Sequence, residues 1–137
     1  MSRKFREWSP GQSWLFPPSP QDWLPAGHLV YFFMEVSAEL DLSCLLKKYE
    51  GDQGGQPPFH PRMMLVLLLY AYSVGVFSSR KIVARSETDV AFRVIVGGDI
   101  PDFRTVSEFR RRHLADVQSL FLEVLRLCRE AGLLKVG

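Results

Sequence analysis

Pro61-Arg-Met-Met-Leu-Val-Leu-Leu-Leu-Tyr-Ala-Tyr-Ser-Val-Gly-Val-Phe77 is the stretch that decides the fold. From Met63 to Phe77 only Ser73 and Gly75 interrupt the apolar run. A helix that is apolar on every side must be enclosed, either as the axis of a soluble core or as a membrane span. The run is shorter than the ~20 residues that a bilayer crossing takes. It opens on Pro61, and a proline suits the first helical position because that N–H has no helical partner. The stretch therefore reads as a central buried helix, about residues 60–76, against which amphipathic helices pack.

The segments on the N-terminal side fit that plan. Residues 28–40 carry Leu29, Phe32, Phe33, Val36 and Leu40 at three- and four-residue steps, which predicts a helix. Asp41 can cap a following helix with Leu42, Leu45, Leu46 and Tyr49 on its inner face. Residues 51–58, Gly-Asp-Gln-Gly-Gly-Gln-Pro-Pro, read as an exposed linker and the expected site of proteolysis. Residues 1–27 hold Pro10, Pro17, Pro18, Pro20 and Pro25, which forbid a long helix. Trp8, Trp14, Phe16 and Trp23 lie among them, so this segment reads as an extended arm whose aromatics fill grooves on the core. Pro20 and Asp22 can start one helical turn capped by Ser19. The predicted organisation is an arm over 1–27 and one helical domain over 28–137.

After the central helix, Ser78 or Ser79 caps a short helix running to Arg85. Ser86-Glu-Thr-Asp89 and Thr105-Val-Ser-Glu108 both have the spacing of a capping box, predicting helix starts at those points. Gly97-Gly98 ends the first of these helices near Val96. A last helix over 116–131 shows Val117, Leu120, Phe121, Val124, Leu127 and Cys128 on one stripe, with Gly132 as its stop. No stretch alternates with the two-residue period of a strand, so the predicted fold is all-α.

Composition narrows the function only a little. The 137 residues suit one domain, and the net charge is only +2. The charge is unevenly spread: residues 80–112 hold eight bases against five acids, and the rest holds nine against ten. Arginine dominates the basic segment, and arginine is the better ligand for phosphate and for guanine edges. Cys44 and Cys128 sit at apolar helical positions with no disulfide framework and no metal-ligand spacing, and read as two buried thiols. The segment 9–13 is polar where a secretory signal needs an apolar region, which points to the cytoplasm.

On a helical wheel, Val106, Phe109 and His113 share one side, Arg111 points nearly opposite, and Arg110 and Arg112 flank it. A core-anchored helix with an arginine fan outward is how a recognition helix meets a groove or phosphates. A solvated basic face has the same pattern, and the wheel does not separate the two. The helices over 79–85 and 87–96 are joined closely enough for a helix-turn-helix. The eight residues from Gly97 to Arg104 make the next link too long for a standard one. Arg62, in the first turn of the central helix, can meet a phosphate or a nearby acid. His113 reads as a core histidine, and His28 and His60 as helix caps. No nucleophile–base pair, metal-ligand cluster or phosphate-cradling glycine loop is apparent.

A resemblance sharpens this. His60-Pro-Arg-Met63, Leu68-Leu-Tyr70, Gly75-Val-Phe-Ser-Ser-Arg80, Asp89-Val-Ala-Phe-Arg93, Pro101-Asp-Phe-Arg-Thr105 and Phe109-Arg-Arg-Arg-His113 occur in an order and spacing familiar from one family. Leu125-Arg-Leu127, Ala131-Gly-Leu133, and in the arm Pro17-Pro-Ser19 and Asp22-Trp-Leu-Pro25, continue the pattern. The chain resembles the N-terminal domain of bacterial insertion-sequence transposases of the InsH N-terminal type. In such proteins a catalytic domain with an Asp-Asp-Glu triad follows the Ala-Gly-Leu segment. The sequence stops at Gly137, so the resemblance implies a transposase truncated before that triad, not an enzyme on its own. Mg²⁺ or Mn²⁺ would belong to that catalytic domain, and no cofactor or metal is expected here. The implied partner is double-stranded DNA carrying the element's terminal repeats, met by Arg80, Lys81, Arg85, Arg104, Arg110, Arg111 and Arg112. The alternative is an interaction module or inactive remnant that pairs with an intact transposase or with itself.

Overall fold

The computed structural model describes Phe5, residues 20–49 and residues 58–132. Among these the elements are a 3-10 turn, Pro20–Trp23, and seven α-helices, with no strand. In order they are α1 (Leu29–Glu39), α2 (Ser43–Lys47), α3 (Pro61–Ser73), α4 (Ser79–Thr88), α5 (Val90–Val96), α6 (Phe103–Arg112) and α7 (Leu114–Glu130). The fold is all-α, as the sequence predicts. The expected roles of Trp8, Trp14 and Phe16 and most of the 51–58 linker lie outside the described residues, as does the Ser19 cap.

α3 is the axis. Every residue from Met64 to Ala71 is buried, and Leu65, Leu67, Leu68 and Ala71 have 0% exposure. α1 and α5 pack on it from two sides. The apolar run outlasts the helix because Gly75, at φ +79°, turns the chain left-handed, a conformation only glycine adopts cheaply. Val76 N–H then donates back to the Ala71 carbonyl at 2.8 Å. Val76 returns to the core while Val74 and Phe77 are exposed. No helix among the described residues is long and apolar enough to cross a membrane.

Local chemistry sets the helix starts. His28 and His60 cap α1 and α3 as expected: each Nδ1 accepts from the N–H two residues on, at 3.2 and 3.0 Å. Asp41 Oδ1 accepts from Ser43 N–H ahead of α2, and Ser78 Oγ from Lys81 N–H ahead of α4. The two capping boxes are displaced from the real caps. Ser86 does not open a helix. It is fully buried inside α4 and its hydroxyl donates to the Ile82 carbonyl, so α4 runs on to Thr88. Asp89 is the cap instead, its Oδ1 accepting from Ala91 N–H at 2.9 Å. Likewise α6 starts at Phe103, with Asp102 Oδ1 accepting from Thr105 N–H at 2.8 Å. In both cases an aspartate three residues from the expected Ser or Thr takes the capping role. Hydrogen bonding from Thr105 holds the Asp102 carboxyl below the usual range.

Two further readings change. Leu42 and Leu45 take the inner side of α2, which turns Cys44 outward: it is exposed, and only Cys128 is buried. Burial raises the Cys128 thiol above its ordinary value. Arg62 pairs with no acid among the described residues: its Nη1 donates to the Ser37 carbonyl near the end of α1, tying α1 to α3. Gly97 ends α5 at φ +69° and Gly132 follows α7 at φ +74°, both as the sequence predicts.

Candidate nucleic-acid interface

α4, α5 and α6 form a three-helix unit in which α4 packs on both its neighbours. Asp89 alone separates α4 from α5, while Gly97 to Asp102 separates α5 from α6. The second link is longer than a standard helix-turn-helix turn, and Pro101 within it is buried. Ile82 of α4 and Val106 of α6, both at 0% exposure, belong to the core that anchors the unit.

α6 buries Val106 and Phe109 and leads into buried His113, so its other sides are free to carry charge. Successive helical residues are turned by about 100°, so three consecutive arginines cannot share one face. The structure gives each a different task. Arg110 is half-buried; its Nη1 donates to the Phe77 carbonyl at 2.7 Å and to Ser79 Oγ at 3.2 Å, and its guanidinium lies 5.5 Å from the Tyr72 ring. It staples α6 to the segment between α3 and α4. Arg112 reaches the other way, donating to the Lys48 carbonyl at 2.9 Å and lying 5.7 Å from the Tyr49 ring. Arg111 projects outward with 74% of its side chain exposed and pairs at 2.5 Å with Glu108 one turn back. That pair raises the Arg111 guanidinium and lowers the Glu108 carboxyl from their ordinary values. Exposed pairs of this kind contribute little to stability, so Arg111 can leave Glu108 for a phosphate at small cost.

Of the seven sequence-predicted residues, two meet at one ring. Arg80 of α4 lies 3.9 Å from the Phe103 ring centroid, and Arg104 of α6 lies 5.8 Å from the same centroid. A guanidinium over an aromatic face keeps its charge while its stem is immobilised. Lys81 is exposed beside Arg80 in the first turn of α4. Arg85 is drawn away toward Asp89 at 3.6 Å. Phe103 is the residue that sequence reasoning missed. Its neighbour Arg104 was legible, but nothing local to Phe103 marks Arg80, on another helix, as the second cation.

Arg80 of α4 and Arg104 of α6 thus share one ring across the two helices. Arg110 and Arg112 are bonded to backbone carbonyls, whereas Arg80, Lys81, Arg104 and Arg111 make no such bond among the described residues. Among the described residues, no three His, Cys, Asp or Glu side chains gather as a metal-holding group. No curated protein and no solved structure matches the chain. Residues 18–112 match the family described as "Transposase domain (DUF772)", a span that ends on the last residue of α6 and takes in all seven candidate residues. The chain belongs to this transposase-domain family.

Proposed function

We propose that this chain is a DNA-binding and assembly domain acting in transposition, recognising the terminal repeats of its element. The observation that supports it most is the convergence of Arg80 and Arg104 on Phe103, on a helix that also carries outward-pointing Arg111, within a transposase domain. A cationic, helix-borne surface in which Arg80 and Arg104 share an aromatic ring and Arg111 is held only by an exposed pair with Glu108 suits a phosphate backbone. Arg111, the most outward of the set, is the candidate for a base edge. Arg110 and Arg112 act on DNA indirectly, by fixing the pose of α6. On this reading strand cleavage and joining belong to a separate catalytic domain with its own Mg²⁺ or Mn²⁺, and this polypeptide works in the cytoplasm without a cofactor.

The test is fluorescence anisotropy of the whole chain on a duplex carrying its element's terminal repeat and on a scrambled duplex. Binding to both, with the repeat preferred, is expected. No binding to either at low salt would end the proposal. A second reading has its own support. Leu114, Leu122 and Leu125 of α7 are 52–67% exposed, and an apolar groove between α1 and α7 runs beside Leu125. Exposed apolar surface of this kind suits a protein partner, an intact transposase or a second copy. Sedimentation of the chain alone and with intact transposase distinguishes that role from DNA binding.

A further inference from the structure

A cavity of about 510 Å³ opens between α6 and the N-terminal end of α3, where Met64 lines it. Its size lies in the ~300–1,000 Å³ range of small-molecule sites. One face of α6 supplies its mouth: Arg104, Thr105, Glu108 and Arg112 all line it, and 104, 108 and 112 are successive turns of the helix. Tyr49, Phe59 and Phe109 supply aromatic walls, and His113 lines the cavity too. His113 is 1% exposed, and its Nδ1 has no hydrogen-bond partner. Its ring is stacked on Tyr49, centroids 5.5 Å apart and planes at 24°, and tilted against Phe109 at 4.9 Å.

An orphaned buried ring nitrogen is costly unless something completes it. Lys48 does not: it lies 2.7 Å from Asp116 Oδ2, without hydrogen-bond geometry to that oxygen. Burial, followed by the nearby charges of Lys48 and Arg112, lowers the His113 pKa, so the imidazole is neutral near pH 7 and can meet either a donor or an acceptor. The occupant that satisfies all of this is flat, with polar edges, and attached to negative charge. Aromatic walls take its faces. His113 Nδ1, the Thr105 hydroxyl and the Glu108 carboxylate take its edge, the last as acceptor for an exocyclic amino group. Arg104 at the rim takes a flanking phosphate, while Arg112, held by the Lys48 carbonyl, walls the cavity. An apolar peptide side chain would leave Nδ1 unpaired, and a lone phosphate would leave the aromatic walls unused.

We propose that this cavity receives a single unstacked nucleobase of the DNA bound by α6. The inference rests on the DNA-binding reading above and adds to it a seat for a base outside the stack. Unstacking costs least for a base already unpaired, so the chain discriminates between a continuous duplex and one with an extrahelical base.

The test compares a short duplex with the same duplex carrying one bulged 2-aminopurine. In parallel, the full chain is titrated with dAMP, inorganic phosphate and N-acetyltryptophanamide while the His113 ring resonances are followed by NMR. Expected results are about tenfold or tighter binding of the bulged duplex, quenched 2-aminopurine fluorescence, and a His113 shift with dAMP that phosphate does not reproduce. Thr105→Met, which fills the mouth, should abolish the bulge preference and leave paired-duplex affinity unchanged. Equal binding of both duplexes with His113 unmoved by dAMP overturns the inference and leaves DNA binding standing. Loss of binding to both duplexes overturns the DNA reading itself, and a silent His113 in the dAMP titration then rejects the base seat independently. A His113 shift with N-acetyltryptophanamide and none with dAMP makes the cavity a seat for a protein side chain, which also overturns it.

Discussion

α3 and α6 are both single continuous helices, and they are held by opposite kinds of chemistry. α3 is placed by composition: eight consecutive buried residues from Met64 to Ala71 leave it no exposed side, whatever their order. α6 is placed by three residues, Val106, Phe109 and the adjoining His113, and by two arginines whose partners are backbone carbonyls far away in sequence. Arg110 finds Phe77, 33 residues back, and Arg112 finds Lys48, 64 residues back. Apolar burial is a property of the stretch itself, because every wall of the core is equally good. A guanidinium's task is a property of whichever acceptor the finished fold brings within reach.

The comparison breaks most visibly in α3. Leu67→Asp puts an uncompensated charge at a position with 0% exposure. The cost is several kcal/mol, a large part of the ~5–15 kcal/mol that stabilises a domain. Loss of helical circular dichroism and of a cooperative melt is expected. A normal melt would mean that α3 is not the axis.

In α6 the expected losses are smaller and unequal. Arg110→Ala removes the hydrogen bonds to the Phe77 carbonyl and the Ser79 hydroxyl and should cost on the order of 1 kcal/mol, read in chemical denaturation. Arg111→Ala removes only an exposed pair and should stay within ~0.5 kcal/mol of wild type. Equal losses for the two would show that Arg110 is as free as Arg111.

His113 gives a third contrast, between the buried end of α6 and its exposed carboxylates. Its folded pKa lies below its unfolded value, so the unfolded chain binds the proton first. Stability is then fully present above pH ~6.5 and falls as the pH drops below that value. Glu108 and Asp102 have lowered values, so their contribution is lost only in the more acidic carboxylate range. A melting temperature that declines between about pH 6.5 and 5 in wild type, and stays flat there in His113→Gln, is the expected pattern. An identical decline in the variant would assign it elsewhere.

These contrasts explain what was legible. The all-α class, α3, α1, the glycine stops at Gly97 and Gly132, and the buried stripe of α7 follow from apolar periodicity and backbone conformation, which are local. The starts of α5 and α6 were shifted because two capping signals overlap within four residues, and Asp89 and Asp102 took the role from Ser86 and Thr105. The arginine fan was legible as a cluster on α6. Its division into two backbone tethers and one outward side chain paired only with Glu108 was not, since no local pattern names Phe77 or Lys48. The same holds for Phe103, whose value depends on Arg80 arriving from α4.

The central claim is that Arg80 of α4 and Arg104 and Arg111 of α6 form the working surface while Arg110 and Arg112 hold α6 in place. The most direct measurement is a salt titration of duplex binding for wild type and for the triple variant Arg80→Ala/Arg104→Ala/Arg111→Ala, with circular dichroism as the folding control. Removing one arginine–phosphate interaction should flatten the slope of log affinity against log salt by ~0.9. The account predicts an unchanged helical spectrum, weaker binding at every salt concentration and a slope reduced by about 2–3. A folded triple variant with wild-type affinity and slope would contradict it.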